Sequence, residues 1–229
     1  MFCAEDDLLE EKTAFGSVRL WKITHREQFE RAVQALAYRC EPREIPRAVG
    51  AQYIGGLANW ERIRKHKCSY LASGGTDWNA EFRRYTQNKE NYTDSLILLS
   101  TGYYSGLSPE EVGLPPEIWK EASGEIRKYH ELTHFIYRKC YPGDIQVIRD
   151  EVLADCVGLC AAFDRYDASL ARKLLGLDNG TLRPDARLRH YVPEDVLPQA
   201  MNEAALWING LEKLLSQVPD LSKRQRESL

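Results

Sequence analysis

The chain has 229 residues, 43% of them hydrophobic and 28% charged. That is ordinary globular composition, in a length that suits one domain or a domain with a smaller lobe. A formal net charge of -3 gives no general attraction for nucleic-acid phosphates or an anionic membrane surface, so neither partner is expected. The longest uncharged apolar runs, such as Leu96 to Leu99, are far too short to cross a bilayer.

The first twelve residues are acidic, with Glu5, Asp6, Asp7, Glu10 and Glu11. A secretory leader has a basic start and an apolar stretch, so a cytoplasmic location is expected unless a leader has been removed. The cysteines at 3, 40, 68, 140, 156 and 160 are then expected as reduced thiols. No CxxC pair is present, which argues against a cysteine-based zinc finger.

In chain order, Val18 to Ile23 alternates apolar and polar residues and predicts a short strand. Glu27 to Tyr38 has helical spacing, and Glu41 to Pro46 is a connector whose prolines stop any helix. Arg47 to Tyr70 reads as mostly helical, with Gly55 and Gly56 as a break, a tight helix crossing or the wall of a pocket. Lys65 to Cys68 reads as a basic, solvated face, and His25 and His66, which have no spacing partner, read as structural. Ser73 to Thr76 is a loop. Asn91 to Ser105 holds the best strand candidate, with a buried apolar run from Ser95 to Ser100. After the turn-rich segment Ser108 to Pro116, a long helix is predicted over about 117–138. Tyr141-Pro142-Gly143 ends it, and Asp144 is the candidate N-cap of a further helix over about 145–165. A helix over 168–175, a turn at Asp178-Asn179-Gly180, an arginine-rich irregular stretch from Arg183 to Pro193, a helix over 194–218 and a frayed polar tail complete the reading.

The chemistry concentrates in His130-Glu131-Leu132-Thr133-His134. In a helix, residues four apart share a face, so His130 and His134 can hold one zinc ion while Glu131 acts as general base on the metal-bound water. A catalytic zinc takes three protein ligands and leaves one position open. A helical hairpin through Pro142-Gly143 brings Glu151 alongside the histidines and completes a His₂Glu set. Asp155, one turn on, can accept the spare ring N–H of a ligand histidine and fix its tautomer. Cys156 and Cys160 on the same helix are read as packing thiols.

At this point the chain resembles the gluzincin metallopeptidases, whose pattern is H-E-x-x-H followed on a later helix by E-x-x-x-D. The resemblance covers about residues 118–165 and implies His130, His134 and Glu151 as zinc ligands, Glu131 as general base and Asp155 as support for a ligand histidine. The interval of sixteen residues between His134 and Glu151 is shorter than in the best-known gluzincins, which keeps Asp150 open as the third ligand.

Amide hydrolysis develops an oxyanion, and Arg187-Leu188-Arg189-His190-Tyr191 supplies candidate donors: His190 first, Tyr191 second, with Arg187 or Arg189 available for a substrate carboxylate or carbonyl. Zincins bind substrate as an added strand along an exposed sheet edge upstream of the metal helix, a place taken here by residues 94–104, with Gly102, Tyr103 and Tyr104 as candidate cleft residues.

The expectation is an α+β, mainly α-helical, zincin-like fold. Residues 1–110 form an N-terminal lobe with a small sheet and the substrate edge, and 111–229 form a helical zinc-binding lobe, in one catalytic unit. The expected activity is zinc-dependent hydrolysis of a peptide or protein substrate, with narrow specificity. The alternative is a zincin-like binding or regulatory module with a structural metal or none. The sequence sets no oligomeric state.

Overall fold

A computed structural model describes residues 7–178 and 180–217. The fold is α+β, 57% helical, with a small four-stranded sheet. The strands are β1 (Asp7–Thr13), β2 (Gly16–Ile23), β3 (Ala51–Ala58) and β4 (Thr93–Ser100), in the order β1-β2-β4-β3. β1 and β2 form an antiparallel hairpin, β2 and β4 run parallel, and β3 is antiparallel to β4.

Helix α1 (Arg26–Ala37) covers one face of the sheet, placing Phe29 and Val33 against Ile23, Ile54 and Leu98. Helices α2 (Trp60–Ala72) and α3 (Trp78–Thr86) follow β3, and the single turn α4 (Pro109–Val112) opens the helical half. The opposite sheet face packs on α5 (Pro116–Cys140), where Leu132 and Phe135 meet Val18, Leu20, Ile97 and Leu99. The second face of α5 packs on α6 (Val147–Phe163), α7 (Ala168–Leu175) and α8 (Leu197–Leu215) through Trp119, Ala122, Ile126, Val152, Leu159, Leu174 and Ile208. α5 is thus buried on two sides, and each large apolar side chain it encloses contributes about 1.5–3 kcal/mol. A two-stranded ribbon, β5 (Leu177–Asp178) and β6 (Thr181–Leu182), links α7 to the stretch before α8. No helix among the described residues is long and apolar enough to cross a membrane.

The helical half follows the sequence closely. Pro116 occupies the first turn of α5, where its missing N–H is not needed, and the chain turns after Cys140 through Pro142 and a left-handed Gly143 (φ 90°). The boundaries of α6 differ, because Asp144 does not cap it. Its carboxylate instead accepts from the Tyr137 hydroxyl at 2.7 Å and from Arg149 at 3.0 Å, and the helix begins two residues later, after Gln146. A 3₁₀ turn at Glu194–Val196 precedes α8, which therefore starts later than residue 194. The expected tail, and Asn179 of the predicted turn, lie outside the described residues.

The N-terminal half departs further from expectation. The predicted helix over 47–70 is β3 followed by α2. Gly55 and Gly56 form neither a helix crossing nor a helix break. The ladder to β4 shifts register between Ile54 and Leu57, and Gly56 takes the left-handed conformation (φ 76°) that such a bulge uses. β1 extends the sheet from the acidic N-terminal segment, and α3 occupies a stretch with no predicted element. His66 is structural, as read from the sequence: its ring stacks on Tyr85 at 3.9 Å and its Nε2 lies 2.6 Å from Glu81 Oε1, while Lys65, Lys67 and Cys68 are exposed. Most consequential for the site, the strand expected to form the substrate edge, β4, is interior. The edge beside α5 is β3.

Candidate metal centre

His130 and His134 stand one turn apart on α5, and the Pro142-Gly143 turn runs α6 back along it. This brings Glu151 to both histidines, with Oε2 3.3 Å from His130 Nε2 and Oε1 3.4 Å from His134 Nε2. The two Nε2 atoms are themselves 3.1 Å apart. One donor atom from each of the three side chains falls within 4.8 Å of the others. Asp150, the other candidate ligand, is elsewhere: it receives Arg149 and the backbone N–H of Gln146.

Behind the histidines lies a buried polar cluster. Asp155 Oδ1 is 2.9 Å from His130 Nδ1 and accepts from the Tyr104 hydroxyl at 2.7 Å. Its other oxygen pairs with Arg187, whose second nitrogen donates to Ser105 Oγ at 3.1 Å. Tyr104 is placed by its backbone N–H, which donates to Ser123 Oγ at 2.9 Å, and the next residue, Ser105, takes a left-handed conformation (φ 53°). A non-glycine residue in that region carries strain that the surroundings must offset. Here the kink turns Tyr104 and Ser105 together toward Asp155 and Arg187. Burial drives the Tyr104 phenol well above its ordinary range, so it keeps its proton and serves Asp155 as a donor.

The donor set fits a divalent metal such as zinc. A carboxylate only accepts, so Asp155 fixes the proton of His130 on Nδ1 and turns the Nε2 lone pair toward His134 and Glu151. The Nε2 atoms of both histidines and the Glu151 carboxylate then converge on one point, where Glu151 Oε2 is buried. The charges of the cluster act on one another. Burial alone pushes His130 down, yet the hydrogen bonds and charges of Asp155 and Glu151 outweigh it and raise the imidazole to about 10. Burial likewise pushes Glu151 up, and the two histidines override it, holding the carboxyl well below its usual range. The acids and the histidines thus hold one another in their charged forms.

The three residues open into a cleft of about 230 Å³. Its walls include Ala51, Gln52 and Tyr53 of β3, with Glu131 and Arg138 of α5, and, from the stretch before α8, Arg187, His190 and Tyr191. Glu131 is 8% exposed and lines the cleft beside its neighbours on α5. The 3₁₀ turn Arg187–His190 folds over the metal residues, so His190, exposed at the rim, and Tyr191, half-buried, both reach the cleft. Burial raises the Tyr191 hydroxyl well above its ordinary range, against the opposing pull of Arg187, so it stays a proton donor. Arg189 turns to Glu194 instead.

Sequence reasoning offered Arg187 or Arg189 for a substrate group, whereas the structure commits Arg187 to Asp155. It also placed Tyr104 only as a cleft residue, whereas the side chain holds Asp155 and contacts His130. The first signal was available in principle, since a buried acid such as Asp155 requires a cation. The second was not, because nothing local links Tyr104 to residues 26 and 51 positions away. Tyr103, the other tyrosine expected at the cleft, is exposed and not among its lining residues. Cys156 and Cys160 are buried free thiols outside the centre, and every cysteine among the described residues is unpaired.

No curated protein and no solved structure matches the chain. A family model matches residues 7–220, a span that takes in the sheet, α1 to α8 and every residue of the centre. The chain belongs to DUF7005, a family of unknown function.

Proposed function

We propose that the chain is a zinc-dependent metallopeptidase of narrow specificity, with His130, His134 and Glu151 as the metal ligands. One observation carries this reading: the converging ligand atoms of His130, His134 and Glu151 share one cleft with a buried Glu131. A purely structural metal site has no use for such a glutamate. When bound, zinc supplies a Lewis acid that polarises the scissile carbonyl and lowers the pKa of water.

The chain's own residues do the rest. Glu131 accepts a proton from the attacking water at its carboxylate and returns it to the leaving amine nitrogen. Tyr191, whose hydroxyl stays protonated, and His190 at the rim are the donors for the developing oxyanion. Asp155 and Tyr104 keep His130 in the tautomer that leaves Nε2 free for metal. Among the described residues no strand pairs with the outer edge of β3, and an extended peptide added there would be led past the centre along Ala51, Gln52 and Tyr53.

The test is Glu131→Gln. It removes the base and leaves the donor set intact, so zinc content stays at one per chain while peptide hydrolysis falls by roughly 10²–10⁴-fold. If protein purified without chelators carries no zinc, nickel, cobalt or iron and takes none up on titration, the reading collapses. Bound metal without hydrolysis of any peptide favours the binding-module alternative.

A further inference from the structure

The cleft carries a cation that neither the metal centre nor the fold employs. Arg138 stands one helical turn beyond His134 on α5, on the same face as His130 and His134. It lines the same cleft and is exposed. Among the described residues no carboxylate lies within ion-pair distance of it, whereas the other arginine of the cleft, Arg187, is committed to Asp155. Arg138 is nevertheless held in place. Its guanidinium lies 4.8 Å from the centroid of the Tyr53 ring. That ring is fixed in turn, by a hydrogen bond of 3.0 Å between its hydroxyl and Ser95 Oγ and by Phe135, whose ring centroid is 6.1 Å away.

An aromatic platform beneath a guanidinium orients its planar face and leaves its N–H edge free. That edge matches a carboxylate, which it can bind through two parallel hydrogen bonds. Tyr53 belongs to β3, the strand along which an extended substrate would lie, so the guanidinium of Arg138 stands beside the path of such a chain. The carboxylates already in the cleft, Glu131 and Glu151, are taken by the roles assigned to them above.

We propose that Arg138 is a specificity residue, and that the substrates are peptides bearing a carboxylate beside the scissile bond. This rests on the peptidase reading. The carboxylate has two possible sources, an Asp or Glu side chain or the chain's own C-terminus, and they separate experimentally.

The experiment digests a peptide library with the zinc-loaded chain, once with free and once with amidated C-termini, and reads the cleaved positions by mass spectrometry. Matched peptides differing only as Glu or Gln at the favoured position then give kcat/KM ratios. The expected result is enrichment of Asp and Glu at one fixed position, with Glu preferred over Gln by roughly tenfold, the scale of one charge-assisted contact. Arg138→Ala brings that ratio to about one, and Arg138→Glu transfers the preference to Lys. If cleavage instead falls at a fixed distance from a free C-terminus and amidation abolishes it, the bound carboxylate is the chain end; enrichment of Asp and Glu that survives amidation means that a side chain is bound. Either result supports the proposal. Cleavage in which Arg138→Ala changes neither the Glu-to-Gln ratio nor the dependence on a free C-terminus overturns it and leaves the peptidase reading standing. No cleavage of any peptide by the zinc-loaded chain overturns both.

Discussion

Gly158 of α6 lies against the backbone of Ile126 in α5, so closely that a β-carbon at position 158 would come 2.7 Å from the Ile126 carbonyl oxygen. Glu151, Asp155 and Gly158 follow one another at intervals of four and three residues and share a face of α6. The missing side chain at 158 therefore lets the two helices approach, and that approach carries Glu151 to the histidines and Asp155 to His130.

Gly158→Ala is expected to destabilise the fold by about 1–3 kcal/mol, because the obstacle is backbone and the helices must part. Zinc affinity should fall with it. Gly124→Ala in α5 serves as the contrast, since a β-carbon there meets nothing within 4 Å. That change should be neutral or stabilising by up to about 1 kcal/mol, as in any exposed helix interior. Urea denaturation of the two variants, with zinc titrations alongside, gives the comparison; equal stabilities would refute the close-packing account.

The hydroxyl of Tyr104 serves Asp155 and sits 2.9 Å from His130 Nδ1. Tyr104→Phe keeps the ring and removes this support, and zinc affinity should drop by about tenfold, the lower end of the range for groups behind a ligand histidine. Asp155→Asn should be worse in a second respect. It leaves the buried Arg187 guanidinium without its counter-charge, a loss of about 3–5 kcal/mol in stability. Competition against a chromophoric chelator measures the first effect and chemical denaturation the second. A Tyr104→Phe protein with wild-type affinity would show that Asp155 alone orients the histidine.

Glu81 joins α2 to α3. Its carboxylate is held at about 2, below the ordinary 4.5, chiefly by its hydrogen bonds to Arg84 and then by His66, which together outweigh the opposing effect of burial. A carboxyl whose pKa is lowered on folding stabilises the protein above its unfolded pKa and loses that contribution as pH falls through the folded value. Glu81→Gln should therefore destabilise the chain most at neutral pH, and the gap from the wild type should narrow steadily below about pH 4.5. Denaturation midpoints of both proteins between pH 3 and pH 7 report the trend. A gap independent of pH would mean that the charge of Glu81 contributes nothing.

Much of the centre is legible in the sequence because it is written in helical periodicity. The His130/His134 pair, Glu131 between them, the Pro142-Gly143 turn and the Glu151/Asp155 face are local features, each a few residues wide, and the helices that carry them form as their spacing predicts. The strand of apolar residues near 96–99 is legible for the same reason, as is the α+β class.

The tertiary structure alone decided the rest. Whether Ala51 to Ala58 is helix or strand depends on its pairing with β4 some forty residues later in the chain, and strand propensity is set by such partners more than by local sequence. That pairing also made β3, not β4, the edge of the sheet, and so moved the expected substrate groove. Asp150 and Glu151 are adjacent in sequence, and only the rotation of α6 against α5, set by close contacts such as Gly158 on Ile126, turned one toward the metal residues and the other toward Arg149. Arg187 reaches Asp155 from 32 residues away, and Arg138 meets the Tyr53 ring, with no carboxylate within ion-pair distance among the described residues. A sequence fixes which side chains are available and which face of its own helix each one takes. Which distant group satisfies a buried charge is settled by packing, because that contact exists only once the chain is folded.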